Sequence, residues 1–540
     1  MAVDAISLEV FKNMFISVAE EMGVALQRTA YSPNIKERRD FSCAVFDASG
    51  QMVAQVAHVP VHLGAMPASV RAALDVFPNA LRPGDMVILN DPYLGGTHLP
   101  DITIVAPVYT EIPPTSSNKE GDRKISRRLA GFVANRGHHA DVGAMTPGSL
   151  PLSTELYQEG TIIPPIKLAR GGRLNQEVIQ LICRNSRTPE ERKGDLAAQI
   201  ASIRVGERRL QEIVERYSAE ETEEHMEALL DYSERVTRQT ISRIPDGEYR
   251  VVDYMDDDGQ SQQPVPIAVC ITVSGDELII DFTGTSPERP GCINAPQAVT
   301  VSACLYVIRC IAGDAAPANQ GCLRPLEIIT PLGTLVNPRP QRGVAGGNVE
   351  TSQRITDVLL AALAQALPEL IPAASQGTMN NVLVGGHDLN RDKPFVYYET
   401  IGGGMGARPT KDGISGIHTH MTNTMNTPIE AFEFAFPMRL KRYALRRGSG
   451  GRGKYNGGDG LIRDIEFLAP ARVTVLSERR RFPPPGFHGG HHGETGENVL
   501  LRGGYEEIHL AGKETLDVEA GDILSIRTPG GGGWGEPEEG

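Results

Sequence analysis

Apolar positions Leu8, Phe11, Met14, Phe15, Val18, Met22 and Leu26 recur at steps of three and four between about Ser7 and Thr29, so the pattern predicts an amphipathic helix with one buried face. The period then changes. From Asp40 to about Pro107, short β-like runs such as Met86-Val87-Ile88-Leu89 and Ile102-Thr103-Ile104-Val105 alternate with glycine and proline turns. The interval from Thr110 to Arg128 is polar and charged and reads as a surface excursion. Thr188-Pro189-Glu190-Glu191 has a capping threonine, proline at the first helical position and glutamate three residues after the cap, which starts a helical block. Asp195 to Arg243 extends it as two or three long helices with a solvated charged face.

Strand patterns return after Gly247, in Tyr249-Arg250-Val251-Val252, in the run from Ile267 to Val273 and from Leu278 to Phe282. A further helix is predicted from Ser352, with Ile355, Val358, Leu359, Ala362 and Leu363 as its core stripe and an end near Pro368. Val473-Thr474-Val475-Leu476 and Ile523-Leu524-Ser525-Ile526 mark a β-rich last portion. The expected class is α+β in several subdomains: residues 1–187 as an α+β region carrying the chemistry, 188–245 helical, 246–430 mixed, and 431–540 β-rich.

Charge narrows the partners. Lys and Arg are outnumbered 53 to 67 by Asp and Glu, for a net charge of −14, and nucleic-acid binding needs the opposite balance. The densest basic cluster, Arg479-Arg480-Arg481, precedes three prolines and reads as a solvated loop. Seven cysteines without a C-x-x-C pair suit free thiols in a reducing compartment. No 18-residue apolar stretch and no basic-then-apolar leader occur, so a soluble, cytoplasmic protein is expected.

The chemistry concentrates in Asn90-Asp91-Pro92-Tyr93-Leu94-Gly95-Gly96-Thr97-His98-Leu99-Pro100-Asp101, and in Arg136-Gly137-His138-His139-Ala140-Asp141. Each carries a His-x-x-Asp pair. Two neutral imidazoles and two carboxylates balance a divalent cation and leave positions for water or substrate, with zinc, manganese or iron all compatible. Competing features are weaker. Gly402-Gly403-Gly404-Met405-Gly406 and Gly530 to Gly533 lack the Lys-Ser/Thr of a phosphate loop. His488-Gly489-Gly490-His491-His492 reads as an exposed loop, and His418 and His420 share one face of an extended stretch. No G-x-S-x-G elbow surrounds Ser149 or any other serine.

With Arg38-Arg39-Asp40-Phe41-Ser42-Cys43, Pro147-Gly148-Ser149, Asp281-Phe282-Thr283-Gly284-Thr285-Ser286, the run from Ala345 to Gln353, His420 to Pro428 and Thr528 to Gly535, these segments resemble, in order, the B-type family of ATP-dependent hydantoinases and 5-oxoprolinases. The resemblance implies a metal held by Asp40, His98, Asp101 and His138, with His139 the weaker candidate. It places His62 in the pocket, beside His58 in the same motif, and leaves Asp141 to orient His138 or accept a proton. It also implies a hetero-oligomer in which ATP belongs to a hydantoinase A-type partner, which phosphorylates a lactam or hydantoin whose ring metal-activated water then opens. The family is similar to ketone carboxylase subunits as well, so carboxylation is the alternative activity. A non-catalytic scaffold for the A-type partner is the alternative class.

Overall fold

The computed structural model describes residues 3–56, 59–112, 126–313, 317–503 and 505–538. Asp4 caps the first helix, Ala5–Thr29, its Oδ1 accepting from the amides of Ile6 and Ser7 at 2.9 and 3.0 Å, which satisfies N–H groups that no helical carbonyl reaches. Phe11, Phe15, Val18, Met22 and Leu26 are buried as the periodicity predicts, while Leu8 and Met14 lie at the margin. This face packs on the helix Pro189–Tyr217, and both cover one face of a seven-stranded sheet. At their crossing Gly206 has no side chain, and a Cβ there would stand 2.4 Å from the Met22 sulfur.

The sheet contains β1 (Phe41–Phe46), β2 (Met52–Val56), β3 (Met86–Leu89), β4 (Asp101–Ile112), β5 (Ser126–His138), β6 (Ile166–Arg170) and β7 (Arg173–Leu174), in the order β2-β1-β5-β4-β3-β6-β7. Every neighbouring pair is antiparallel. Register therefore brings the start of β1, the end of β5 and the start of β4 to one edge: Phe41 faces Gly137, and Asp101 faces His138. Most of the excursion expected from Thr110 to Arg128, together with His58, lies outside the described residues.

The helical block is two helices, Pro189–Tyr217 and Ala219–Ile241. Thr188 occupies the cap position with proline next, but its hydroxyl caps nothing. Its amide is held by Ser186 Oγ instead, so the lead-in to the helix is fixed one step earlier than the capping motif suggests.

A four-stranded sheet of Gly247–Met255, Val265–Ser274, Glu277–Asp281 and Leu326–Ile329 buries alternate residues against the helices Gln297–Ala312 and Ser352–Ala364. The remaining strands form a four-stranded and a five-stranded sheet sharing one apolar core that includes Val382, Val384, Val473, Ile465 and Leu524. The chain is thus α+β with several separate sheets. Among the described residues no helix is long and apolar enough to cross a membrane.

One sequence reading changes here. Arg479 is buried and its guanidinium bonds Asp357 and Asp253 at 2.6 and 3.0 Å, while the Arg480 amide bonds Asp256. Arg479 is therefore a buried ion-pair anchor and only Arg481 is exposed, because the run leaves its strand facing carboxylates of the strand Gly247–Met255 and the helix Ser352–Ala364. The glycine runs pack backbone on backbone: a Cβ on Gly404 would stand 2.0 Å from the Gly458 carbonyl oxygen, and one on Gly531 would stand 2.1 Å from that of Met405. His488, His491 and His492 are exposed, as the loop reading expects.

Candidate metal centre

Three strand ends build the centre. Asp40 immediately precedes β1, and its carbonyl accepts from the His138 amide at 3.0 Å. Asp101 opens β4 beside His138, which closes β5. His98 returns onto Asp101 through a turn pinned by Asn90, whose Nδ2 donates to the carbonyls of Leu99 and Thr161 at 2.7 and 2.9 Å. Gly95 sits in the left-handed region with φ of 86°, and a Cβ there would strike the Ala68 carbonyl oxygen at 2.4 Å. The glycine is required by both conformation and space.

Within this frame His98 Nε2 and His138 Nδ1 lie 3.2 Å apart, and each approaches Asp101 Oδ1, at 3.2 and 3.1 Å respectively. All three residues are buried. Two ring nitrogens and a carboxylate oxygen converging so closely present lone pairs to one another, an arrangement that a shared cation or proton relieves. Metal–ligand bonds of about 2.0–2.2 Å place neighbouring donor atoms roughly 3 Å apart, so the triangle fits one face of a divalent coordination shell. The second oxygen of Asp101 is held by Thr97 Oγ1, which donates at 2.6 Å, and by His62 Nε2 at 3.3 Å. His62 Nδ1 in turn lies 2.9 Å from Ser42 Oγ. Burial would raise the Asp101 carboxyl, but His98 and His62 hold it well below the usual range. Burial, outweighing Asp101, pushes the His62 imidazole below its ordinary value.

Asp40 and His62 line the same cavity but stand outside the three-atom cluster. Asp141 does not reach it. Its Oδ2 accepts from the Arg187 amide at 2.7 Å and from Ser186 Oγ at 3.2 Å, and its Oδ1 accepts from the Arg187 guanidinium at 2.8 Å. The two His-x-x-Asp pairs differ because the first lies in the turn entering a strand, where i and i+3 fold together, whereas β5 ends at His138 and carries Asp141 away. Asp141 anchors the approach to the helix Pro189–Tyr217, which corrects its reading as partner of His138 or proton acceptor. His139 also points elsewhere, its Nε2 2.9 Å from Gln199 Oε1. His418 and His420 do not line the cavity.

The opposite wall comes from later in the chain: Asn348, Val349, Met379, Tyr398, Thr400, Thr422 and Thr424. The Tyr398 ring stacks on His138 at 4.6 Å. Arg38, buried below this wall, donates to the Tyr398 carbonyl at 3.0 Å and to Thr400 Oγ1 at 2.8 Å. Several of these residues fall in the sequence segments singled out above, yet nothing in one-dimensional spacing connects position 348 or 398 to position 98. The cavity volume is about 20 Å3, enough for one water or ion, and the cavity is partly open, so that a ring would lie at its mouth with only its carbonyl reaching in.

Glu159 supports that wall. It is fully buried and accepts from the amides of Val344 and Ala345 at 2.8 and 3.1 Å, just ahead of Asn348. Burial, opposed by Ser153 and these amides, pushes its carboxyl up to about 7 from 4.5. A carboxyl raised on folding stabilises the fold fully below its unfolded value, and that contribution is lost as pH rises through the folded value. Denaturant titrations of the wild type and Glu159→Gln should therefore diverge between pH about 4.5 and 7, with the wild type losing stability relative to the variant. Parallel pH profiles would contradict this.

A model of the Hydantoinase B/oxoprolinase family matches residues 4–537. The 5-oxoprolinase 1 of Arabidopsis thaliana is 42% identical over 98% of this chain, which spans 42% of that protein's length. A Pseudomonas protein provisionally named as the B-type component of a D-/L-hydantoinase is 33% identical over 99% of this chain and 91% of its own. Among solved structures, the ATP-dependent caprolactamase of Pseudomonas jessenii superposes with a TM-score of 0.89 at 27% identity, covering 99% of this chain and 92% of that one. Acetone carboxylase shares the fold, with a TM-score of 0.82 at 19% identity over 98% of this chain and 76% of the other.

Proposed function

Because this chain belongs to the hydantoinase B/oxoprolinase family, we propose that it is the B-type half of an ATP-dependent cyclic amidase, which opens a lactam or hydantoin ring activated on a hydantoinase A-type partner. The observation that carries the reading is the buried triangle of His98 Nε2, Asp101 Oδ1 and His138 Nδ1. These three residues, with Asp40 from the same cavity, would hold a divalent zinc, manganese or iron ion, which would lower the pKa of a bound water toward about 7 and act as a Lewis acid for the acyl oxygen. The plant relative is much longer than the span it shares with this chain, which supports a separate ATP-using part. The glycine runs here are filled by neighbouring backbone, and ATP is assigned to the partner.

An unstrained amide resists water because nitrogen delocalises into the carbonyl. Phosphorylation of that oxygen by ATP removes the resistance. Water then adds to the ring carbon, its proton passing to nitrogen, and the carbon–nitrogen bond breaks to leave an amine and an acyl phosphate. A second water cleaves the acyl phosphate to carboxylate and inorganic phosphate. Through both additions Thr97 and His62 keep Asp101 turned toward the reacting water, and His62, held between Ser42 and Asp101, takes and returns the proton. Tyr398 packs on His138 and excludes bulk solvent from that side.

The test is reconstitution with the cognate A-type chain, ATP and a panel of hydantoins and lactams, in the presence and absence of bicarbonate. Ring opening that needs both chains and tracks ADP release supports the proposal. Bicarbonate-dependent consumption of a ketone would replace it with the carboxylase reading. Full ring opening by the partner alone would leave this chain a scaffold.

A further inference from the structure

Asn348 occupies a wide π-helical turn, Gly347–Thr351, that runs directly into the helix Ser352–Ala364. Such turns cost regular hydrogen bonding and recur where a side chain must be aimed. The backbone is pressed against its neighbour to achieve this, since a Cβ on Gly347 would stand 1.8 Å from the Asn294 carbonyl oxygen. Asn294 Nδ2 in turn donates to the carbonyls of Gly291 and Gly343 at 2.9 Å each. The turn delivers the Asn348 amide into the cavity, where Nδ2 donates to His98 Nε2 at 3.1 Å. The other end of the amide, Oδ1, is buried and has no hydrogen-bond partner among the described residues.

The His98 Nε2 lone pair is also the one aimed at the triangle. It serves one acceptor role at a time. A cation that takes the lone pair removes the amide's acceptor and leaves a buried N–H donor beside the coordination face, where an uncompensated polar group is costly. Three other polar side chains on that wall are committed: the Tyr398 hydroxyl donates to Asn381 Oδ1, and Thr400 and Thr424 bond one another and Arg38.

We propose that Asn348 is a catalytic hydrogen-bond donor: metal loading releases its Nδ2 from His98, and it then binds the acyl oxygen of the ring-opened intermediate. The inference rests on the amidase reading. When water adds to the acyl phosphate carbon, the carbonyl π pair moves onto that oxygen. It returns as the carbon–oxygen bond to phosphate breaks, the bonding pair leaving with phosphate and the water proton passing to His62. A fixed donor at the oxygen stabilises the charged stage and, when deleted, costs about 10²–10³-fold in kcat. A residue that only orients His98 would instead cost about 10–100-fold in metal affinity.

The experiment loads the full-length chain with Co2+ and titrates it with acetohydroxamate, a small metal ligand carrying a carbonyl oxygen, following the visible spectrum. Wild type is compared with Asn348→Ala and the near-isosteric Asn348→Asp, and Co2+ affinity is measured on each. The expected result is Co2+ affinity within about threefold of wild type in Asn348→Ala and no weaker in Asn348→Asp, with acetohydroxamate binding weakened at least tenfold in both, on the scale of one lost donor. Unchanged acetohydroxamate affinity, failure of acetohydroxamate to bind the wild type, or a tenfold loss of Co2+ affinity in Asn348→Ala overturns the donor role. A wild type that binds no Co2+ also overturns it, because nothing then displaces the amide. Ring opening is scored separately with the partner chain, so its failure with the binding pattern intact would remove the amidase reading while the donor assignment stands.

Discussion

Replacing His98 or His138 by alanine is expected to abolish divalent metal retention and, with the partner and ATP present, to reduce ring opening by more than the ~10–100-fold typical of a supporting residue. Each substitution removes one corner of a triangle with sides of 3.1–3.2 Å, and the remaining pair no longer encloses a cation. Stability should suffer less than activity, because the repulsion among converged acceptors is relieved as the ligand is lost. Metal analysis by mass spectrometry reads the first effect directly. Asp141→Ala is the informative contrast: metal is retained, since the carboxylate serves Ser186 and Arg187, while the fold weakens by ~1 kcal/mol as a half-buried amide loses its acceptor. Near-stoichiometric metal in both histidine variants would rule out the triangle as the binding site.

Glu399→Ala should destabilise the protein by about 3–5 kcal/mol, the cost of stranding a buried charge. Glu399 Oε2 lies 2.8 Å from Arg463 Nη2, with both side chains fully buried. The guanidinium sits 4.9 Å over the Tyr443 ring, and burial leaves it little access to water once its carboxylate is gone. Glu399 Oε1 also accepts from the Thr427 amide at 2.9 Å, so the same change loosens the segment bearing Thr422 and Thr424 on the cavity wall. The urea midpoint measures the loss. A shift equivalent to less than about 1 kcal/mol would show that water reaches the arginine and that the pair is not dry.

The elements legible in the sequence are those specified by local periodicity. The first helix shows its buried stripe because a 3.6-residue period needs no knowledge of what it packs against, and strands at 249–252 and 267–273 declare themselves by alternation for the same reason. His98 and Asp101 were legible because three residues of turn hold both. Distance in sequence defeated the remainder. Asp141 has the same spacing as Asp101, and only the end of β5 at His138 sends it elsewhere. Arg479-Arg480-Arg481 reads as solvent-exposed because charge pattern reports solvation only when partners are local, and its carboxylates lie more than a hundred positions away. The wall formed by Asn348, Tyr398 and Thr424 belongs to the same category: its residues are ordinary until tertiary structure sets them opposite the edge that carries His98, Asp101 and His138.

The bond from Arg38 to the carbonyl of Tyr398 joins positions 360 apart, and it gives the centre a history as well as a shape. Synthesis at ~5–20 residues per second separates the emergence of Asp40 from that of Thr424 by roughly 20–80 s. During that interval β1, β4 and β5 can pair and bring His98, Asp101 and His138 together while the facing wall does not yet exist. The nascent chain would then present the three side chains in an open half-site, whereas in the finished chain they line a cavity of about 20 Å3 beside a packed tyrosine. If the proposed centre takes up a metal, the choice of metal would consequently be open to kinetics during translation, and cells differing in free metal at that moment would mature different forms of the same polypeptide.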